Sequence, residues 1–505
     1  MNAALTRFLS AVFALVVTPL AVAGDVTATV KGGTLKLRGP GSDVSISIDQ
    51  TGMPANRFRL VPDVGTTVNG SVTPIQLDKV TRDIQIQHGG GIETYEIADC
   101  SIGRDLRATG GKSGALNLVI MTDVDIGRDV NCTSKGASFV LSASGTGIVA
   151  HRDAKFRFAG SSPNTLVFTP LVVDRNVHIS GSTGVDVIVL GATSSTHGEF
   201  VVDMGDGINT FVDTATTEYR RSLRVSGKNG TNTAVILGAI DGDSITRFGT
   251  GAGNTMVITA TIGGAVRAAS RGELTTLTVA PTTTAPYRSI RFDGGELDET
   301  VNFGPNLTVT GNVDLRMGNG RCTLNGGSFA SAKSLRWKSG IGNDTVALGL
   351  TEIARDVRID VGTADDGIGN HVTLNQTMVH GSAVVTGRFG ECFVTLTNVD
   401  IDRATRLDAG KGDLTLTTTA GSFGSLSAFG DAYADSIAMS GVATVTGDVR
   451  FALGDGDNAI GIATINCGGD FVVNTGKGND TISITTPVIG GKTKIDLGAG
   501  TNTGP

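Results

Sequence analysis

The chain has 505 residues, of which 72 are glycine, 12 are proline, 5% are aromatic and 18% are charged. Its net charge of −7, without a basic cluster in the sequence, argues against nucleic acid or an anionic membrane surface as a partner. The 5 cysteines are odd in number and scattered, so they do not indicate a disulfide framework.

The first 23 residues predict a secretory signal peptide. Arg7 precedes an apolar run at 8–17, and Ala-Val-Ala at 21–23 forms a small-residue cleavage site before Gly24. The run is shorter than the about 20 residues that cross a bilayer, so we expect it to be removed rather than to anchor the chain. The mature protein is therefore expected to be secreted or held at the cell surface, without a membrane span.

Residues 24–68 differ in pattern from residues 69–505. They contain alternating apolar and polar residues at 29–37 and 44–49 but lack the repeat of the longer segment, which predicts cap strands that shield the first open edge of a sheet. Residues 69–505 are predicted to form one repetitive body.

A repeat dominates that body. At intervals of about 22 residues, a glycine turn is followed by one polar residue and then by an apolar-x-apolar triplet. Most of these polar positions are Asn or Asp. Aligned, they are Asn164, Asp186, Asn209, Asn232, Asn254, Thr275, Glu299, Cys322, Asp344, Asn370, Cys392, Asp413, Asp435, Asn458, Asp480 and Asn502.

Each repeat contains two short strands of alternating pattern around the glycine turn and a third apolar segment. Such units predict an all-β fold, a single-domain parallel β-helix of roughly 20 coils, expected to be right-handed, because stacking buries the apolar side of each coil. Stacked Asn side chains are expected to form an amide ladder. Cys322 and Cys392 stand three repeats apart, beyond disulfide reach, so buried and unpaired thiols are expected.

Two turns, G-D-G-D-N at 454–458 and G-K-G-N-D-T at 476–481, resemble pieces of the RTX calcium-binding nonapeptide. The resemblance implies calcium as a cofactor. Each of these turns is isolated, however, and one turn offers fewer oxygens than the six to eight that calcium takes. The spacing of the turns therefore predicts that the protein has no cofactor. The repeats are more similar to exported bacterial proteins built from Gly/Asn/Asp-rich β-strand units, a resemblance that implies a parallel β-helix without a particular activity.

Two places are candidate metal or catalytic sites. Asp413 and Asp435 are neighbours in the aligned column, so their carboxylates would lie about 5 Å apart if both point inward, or face solvent if they do not. Between Asp344 and Asn370 the repeat lengthens, and the added loop carries Asp365 and Asp366. Insertions in solenoids often form binding loops, and converging carboxylates there would suit a polysaccharide hydrolase or lyase.

Two functions remain open. The first is a secreted, non-catalytic solenoid that serves as a structural, adhesion or extracellular-matrix component. The second is a carbohydrate-active β-helix with its site near residues 360–370. One tryptophan and four tyrosines leave few platforms for stacking sugars, which favours the first. The expected partners are polysaccharide or other surface components, and an uncapped C-terminal edge is expected to allow end-to-end contact between copies.

Overall fold

The structure is a computed structural model that describes residues 24–111, 116–272, 275–331, 333–365 and 367–504. The predicted signal peptide at 1–23 and the candidate Asp366 lie outside the described residues.

The chain folds as an all-β parallel solenoid of about 18 turns with about 22 residues per turn, which confirms the predicted fold class. The described residues form strands and turns and no α-helix. Accordingly, these residues contain no helix of the length and apolarity needed to cross a membrane. The described residues divide into two compact units, unit 1 up to Pro170 and unit 2 from Leu171, a division that the uniform composition does not indicate.

In unit 1, antiparallel pairs come first and parallel stacking follows. Gly24–Lys31 pairs antiparallel with Thr34–Arg38, and Phe58–Pro62 pairs antiparallel with both Val44–Asp49 and Ile75–Leu77. The strands of unit 1 are Gly24–Lys31, Thr34–Arg38, Val44–Asp49, Phe58–Pro62, Thr66–Val68, Ile75–Leu77, Ile84–Gln87, Glu93–Ile102, Leu106–Thr109, Leu116–Ile126, Val130–Thr133, Ser138–Ala150, Ala154–Arg157 and Asn164–Phe168.

In unit 2, the strands of successive coils pair in parallel and form three stacked sheets, of which the third has no strand in some of the described coils. The first sheet contains Val177–Ser180, Phe200–Asp203, Leu223–Gly227, Ser244–Phe248, Ala265–Ser270, Ser289–Asp293, Val313–Arg316, Leu335–Lys338, Val357–Thr363, Ala383–Phe389, Val449–Gly454, Phe471–Thr475 and Thr493–Asp496. The second contains Asp186–Leu190, Asn209–Val212, Asn232–Ile236, Thr255–Ile258, Thr275–Val279, Glu299–Phe303, Cys322–Gly326, Thr345–Gly349 and Asn370–Asn375.

The third sheet is built from the shortest strands. They are Leu171–Val173, Ser195–Thr196, Glu218–Tyr219, Ala239–Ile240, Leu307–Val309, Phe329–Ser331, Glu352–Ile353 and Met378–Val379. Toward the C-terminus, longer strands run around the corners and contribute to more than one sheet. These are Cys392–Asp408, Leu414–Phe429, Ser436–Val445, Ala459–Cys467 and Thr481–Ile489.

The alternation in the sequence determines which side chains are inside. In Leu335–Lys338, for example, Leu335 and Trp337 are buried while Arg336 and Lys338 are exposed. Successive side chains of a strand point to opposite faces, so a period of two places one set in the core of the coil and the other in solvent. The core of unit 2 is closed by large side chains such as Trp337, Tyr219 and Phe292, each less than 2% exposed.

The strand pairing corrects one position of the aligned column. Leu414, and not Asp413, pairs with Cys392, and the Leu414 N–H donates to Asp435 Oδ1 at 2.8 Å. Leu414 is fully buried, whereas Asp413 is half-buried. An inward Asp413 would have turned Leu414 and Leu416 out to solvent, because a shift of one residue moves every side chain to the opposite face.

Candidate functional site

A column of buried side chains runs along the start of the second sheet of unit 2, and we call it the polar column. The pairing places in it Asp186, Asn209, Asn232, Asn254, Thr275, Glu299, Cys322, Asp344, Asn370, Cys392, Leu414, Asp435, Asn458, Asp480 and Asn502. Apart from Asn502, every member is at most 1% exposed.

Hydrogen bonds connect successive members of the polar column. The backbone N–H of one member donates to the side-chain oxygen of the next, as from Asn232 to Asn254 Oδ1 at 3.0 Å and from Asp435 to Asn458 Oδ1 at 3.0 Å. Amide groups also bond directly, since Asn209 Nδ2 donates to Asn232 Oδ1 at 3.1 Å. Most buried polar groups of folded proteins are hydrogen-bonded, and these bonds meet that requirement for the amides of the column.

At several members of the polar column, the residue five positions earlier provides either room or a hydroxyl. At Gly430 an added Cβ would lie 1.6 Å from Asp435 Oδ2, so only glycine leaves space for that carboxyl. Five positions before Asp344 and Asp480 stand a serine and a threonine. Ser339 Oγ donates to Asp344 Oδ2 at 2.5 Å, and Thr475 Oγ1 donates to Asp480 Oδ2 at 2.9 Å. This spacing is a signal that sequence reasoning missed.

Three carboxyl groups of the polar column have pKa values well above the usual range of carboxyl groups. Burial raises the pKa of Glu299, Asp344 and Asp435 to about 7 in each case, because a charged carboxylate loses hydration inside the coil. Hydrogen bonds from neighbouring groups lower each pKa in part. The charges of Asp413 and Asp431 add to the effect of burial at Asp435.

The fold places the predicted metal residues Asp413 and Asp435 in different surroundings. Asp435 points into the core, and its Oδ2 has no hydrogen-bond partner among the described groups, while Asp413 lies outside the polar column. Asp365 is exposed, and its charge adds to burial in raising the pKa of Asp344. Within the described ranges, no group of three or more His, Cys, Asp or Glu side chains is arranged to hold a metal ion.

At the start of the loop at 360–370, Asp360 forms an ion pair with an arginine and is not paired with a second carboxylate. Asp360 Oδ2 accepts a bond from Arg388 at 3.3 Å, and Asp360 Oδ1 accepts one from the Gly362 N–H. Calcium binding by Asp365, Asp366, Asp413 or Asp435 stays a prediction, and calorimetric titration of the full mature chain with calcium tests it.

The five cysteines are free and buried. Burial raises the pKa of Cys132 and Cys392 to about 12, so at neutral pH both are unreactive thiols. Cys322 lies in the polar column between Glu299 and Asp344, and its N–H donates to Asp344 Oδ1 at 3.0 Å.

Unit 1 contains a buried polar cluster that the sequence did not reveal. His88 Nδ1 lies 3.5 Å from Glu93 Oε2, and both side chains are 0% exposed. The His88 ring also packs edge-on against Tyr95, with 4.9 Å between ring centroids. The Gly89 N–H donates to Glu93 Oε1 at 2.7 Å. A cavity of about 450 Å³ borders His88, with Arg38 and Lys135 among its lining residues.

The outer surface of the first sheet of unit 2 carries cations in register. Asp314, Arg336 and Arg358 are paired across three coils, and two residues further along the same strands Arg316, Lys338 and Asp360 are paired. We call Arg316, Arg336, Lys338 and Arg358 the cationic face. Sequence reasoning missed it because its members come from three strands about 20 residues apart in the chain and form no basic run.

No protein-family model matches the chain, and no curated protein or solved structure is significantly similar to it.

Proposed function

We propose that the protein is an exported, non-catalytic β-solenoid that serves as a structural or adhesion component at the cell surface or in an extracellular matrix. The resemblance of its repeats to exported Gly/Asn/Asp-rich proteins supports this proposal, as does the predicted signal peptide.

The observation that carries the proposal is the regular stacking of outward side chains. On the first sheet of unit 2, Arg267, Arg291, Asp314, Arg336 and Arg358 follow one another in register on consecutive coils. Coils stack about 4.8 Å apart, so this surface presents a chemical group at each step along the sheet. Such a periodic surface suits a polymer or another extended surface, whereas a small substrate needs side chains that converge on one point.

Cell fractionation combined with mass spectrometry of the N-terminus tests export. We expect a mature chain that begins at Gly24 and is recovered from the medium or the outer surface, where protease added to intact cells removes it. A full-length chain with Met1 retained in the cytoplasm would contradict the proposal.

Incubation of the mature protein with acidic and neutral polysaccharides tests the non-catalytic part. We expect binding without new reducing ends and without the ultraviolet absorbance of unsaturated sugars that a lyase produces. Turnover that disappears in the Asp360→Asn variant would support the carbohydrate-active alternative instead.

A further inference from the structure

Of the four cations of the cationic face, only Arg316 is neutralised within the described part of the fold, by Asp314. We propose that the cationic face binds an acidic polysaccharide, a polymer of sugar rings that carry carboxylate groups. This inference rests on the proposed function and names the partner for it.

The acidic residues beside the cationic face are already engaged. Asp314 accepts bonds from Arg316 on its own strand at 3.0 and 3.1 Å, and Asp360 bonds Arg388 on the following coil. Arg336, Lys338 and Arg358 are exposed and make no ion pair with any described residue. Three cations on two adjacent coils are thus available to an external anion.

Other arginines of the same sheet behave differently. Arg291 makes two bonds to Asp293, at 2.8 and 3.0 Å, and Arg267 lies 3.5 Å from Asp243. These side chains are as exposed as ordinary surface arginines, but each has an acidic partner within its own fold. Arg247 and Arg450 of the same sheet also have no acidic partner among the described residues, but each stands alone between uncharged residues of the neighbouring coils. Arg336, Lys338 and Arg358 differ because they lie together on two adjacent coils.

The arrangement is unfavourable for the protein alone. Arg336 pairs directly with Arg358, and Arg316 pairs directly with Lys338. Like charges on directly paired residues destabilise a sheet, and a bound polyanion removes that repulsion.

The spacing of the cations also suits a polymer of carboxylated sugars. Cations on neighbouring coils lie about 4.8 Å apart across the strands, and residues i and i+2 lie about 6.6 Å apart along a strand. A guanidinium binds a carboxylate through two parallel N–H bonds, so each arginine of the grid can hold one uronate.

Carboxylated sugar fits this grid better than nucleic acid does. Single-stranded nucleic acid is held by aromatic side chains that stack on its bases, and the aromatic residue of this grid, Trp337, is 0% exposed. The net charge of −7 also opposes the general attraction to a nucleic acid backbone. Local cations on a flat sheet can instead bind carboxylates that recur along a polymer.

The test measures binding of the full mature chain to polygalacturonate by biolayer interferometry. The triple variant Arg336→Glu, Lys338→Glu, Arg358→Glu should lose binding at least tenfold. A matched control, Lys228→Glu, Lys411→Glu, Lys477→Glu, changes the net charge equally at exposed lysines in the glycine turns and should keep the affinity of the unchanged protein. Melting curves of both variants verify that the fold is retained.

Salt provides a second measurement that needs no variant. With three carboxylates engaged, raising NaCl tenfold should weaken binding roughly a hundredfold, by the relation that holds for single-stranded polyanions. Dextran, which is neutral, should not bind. Heparin, which carries sulfates as well as carboxylates, should compete with polygalacturonate.

Three results would overturn the inference: equal loss of affinity in the two triple variants, equal binding of dextran, or tighter binding of single-stranded DNA than of polygalacturonate. Failure of the proposed function is distinguished separately. If the protein is found at the cell surface but does not bind polygalacturonate, only the proposed partner is refuted. If the protein is cytoplasmic, the proposed function is refuted whatever the protein binds in vitro.

Discussion

The two sides of one strand, Leu335–Lys338, differ in what they contribute to the protein. Leu335 and Trp337 point into the coil and are 0% exposed, whereas Arg336 and Lys338 point out and are exposed. Both sets recur at the coil spacing, so repetition alone does not separate structural residues from binding residues. Burial separates them, because water can replace a contact that an outer side chain loses but cannot reach an inner one.

The largest effect is expected where a bulky side chain is removed from the inner side. Trp337→Ala should lower the free energy of unfolding by about 3–5 kcal/mol, through lost burial and the cavity that remains. Equilibrium denaturation of the mature chain in urea measures it. Its control is Arg336→Ala on the same strand, which should change the free energy by less than about 0.5 kcal/mol. Similar losses of unfolding free energy in both variants would contradict the difference between inner and outer side chains.

A second substitution tests the polar column. Asn232 accepts a bond from Asn209 Nδ2 and donates to the Gly230 carbonyl oxygen at 3.0 Å. Asn232→Ala should cost about 1–3 kcal/mol, because it leaves buried partners unsatisfied. Asn229→Ala, on the exposed turn of the same coil, is the control and should be nearly neutral in the same urea experiment. A neutral Asn232→Ala would show that the column contributes no stability.

The buried carboxyls should make stability depend on pH. The pKa of Asp435 is raised by burial from 3.8 to about 7, so the folded chain holds a proton that the unfolded chain has released between these pH values. Stability from this group is therefore present below pH 4 and is lost as the pH rises toward 7. Glu299, Asp344 and Asp213 act in the same direction, with pKa values of about 7.

Asp435→Asn isolates that contribution. The amide keeps an acceptor for the Leu414 N–H and cannot ionise, so the melting temperature should rise by a few degrees at pH 8 and change little at pH 4. Thermal denaturation across this range measures the difference. The exposed Asp455→Asn variant should show no such trend, and an equal gain for Asp435→Asn at both pH values would refute the assignment.

The smallest effect concerns the thiols, all of which lie on inner positions or under turns. Iodoacetamide at pH 8 should leave Cys132, Cys322 and Cys392 unmodified in the folded chain and label all five cysteines in denaturant. Mass spectrometry of tryptic peptides measures the labelling. Rapid modification of Cys132 in the native state would show that this part of the interior opens to solvent.

The sequence predicted most of the fold because a repeat expresses the same packing requirement in every coil. Fourteen of the sixteen aligned positions lie in the polar column, and Asn164 lies in unit 1, where it pairs with Phe139. The exception, Asp413, was out of phase with the apolar residues Leu414 and Leu416. In unit 1, Glu93 and Asn117 are likewise paired and buried, but the repeat around them is too irregular to align from the sequence.

The cationic face could not be predicted from the sequence. Period-two alternation and glycine turns by themselves determined a β-solenoid and the inner face of its strands, since both are local properties of the chain. Only the tertiary structure decided which outward residues become neighbours. Arg336 and Arg358 are 22 positions apart in the chain yet directly paired, because the number of residues in each turn sets the register between coils. That register decides whether an outward cation lies beside an acidic partner, and it therefore also decides that the members of the cationic face lie together.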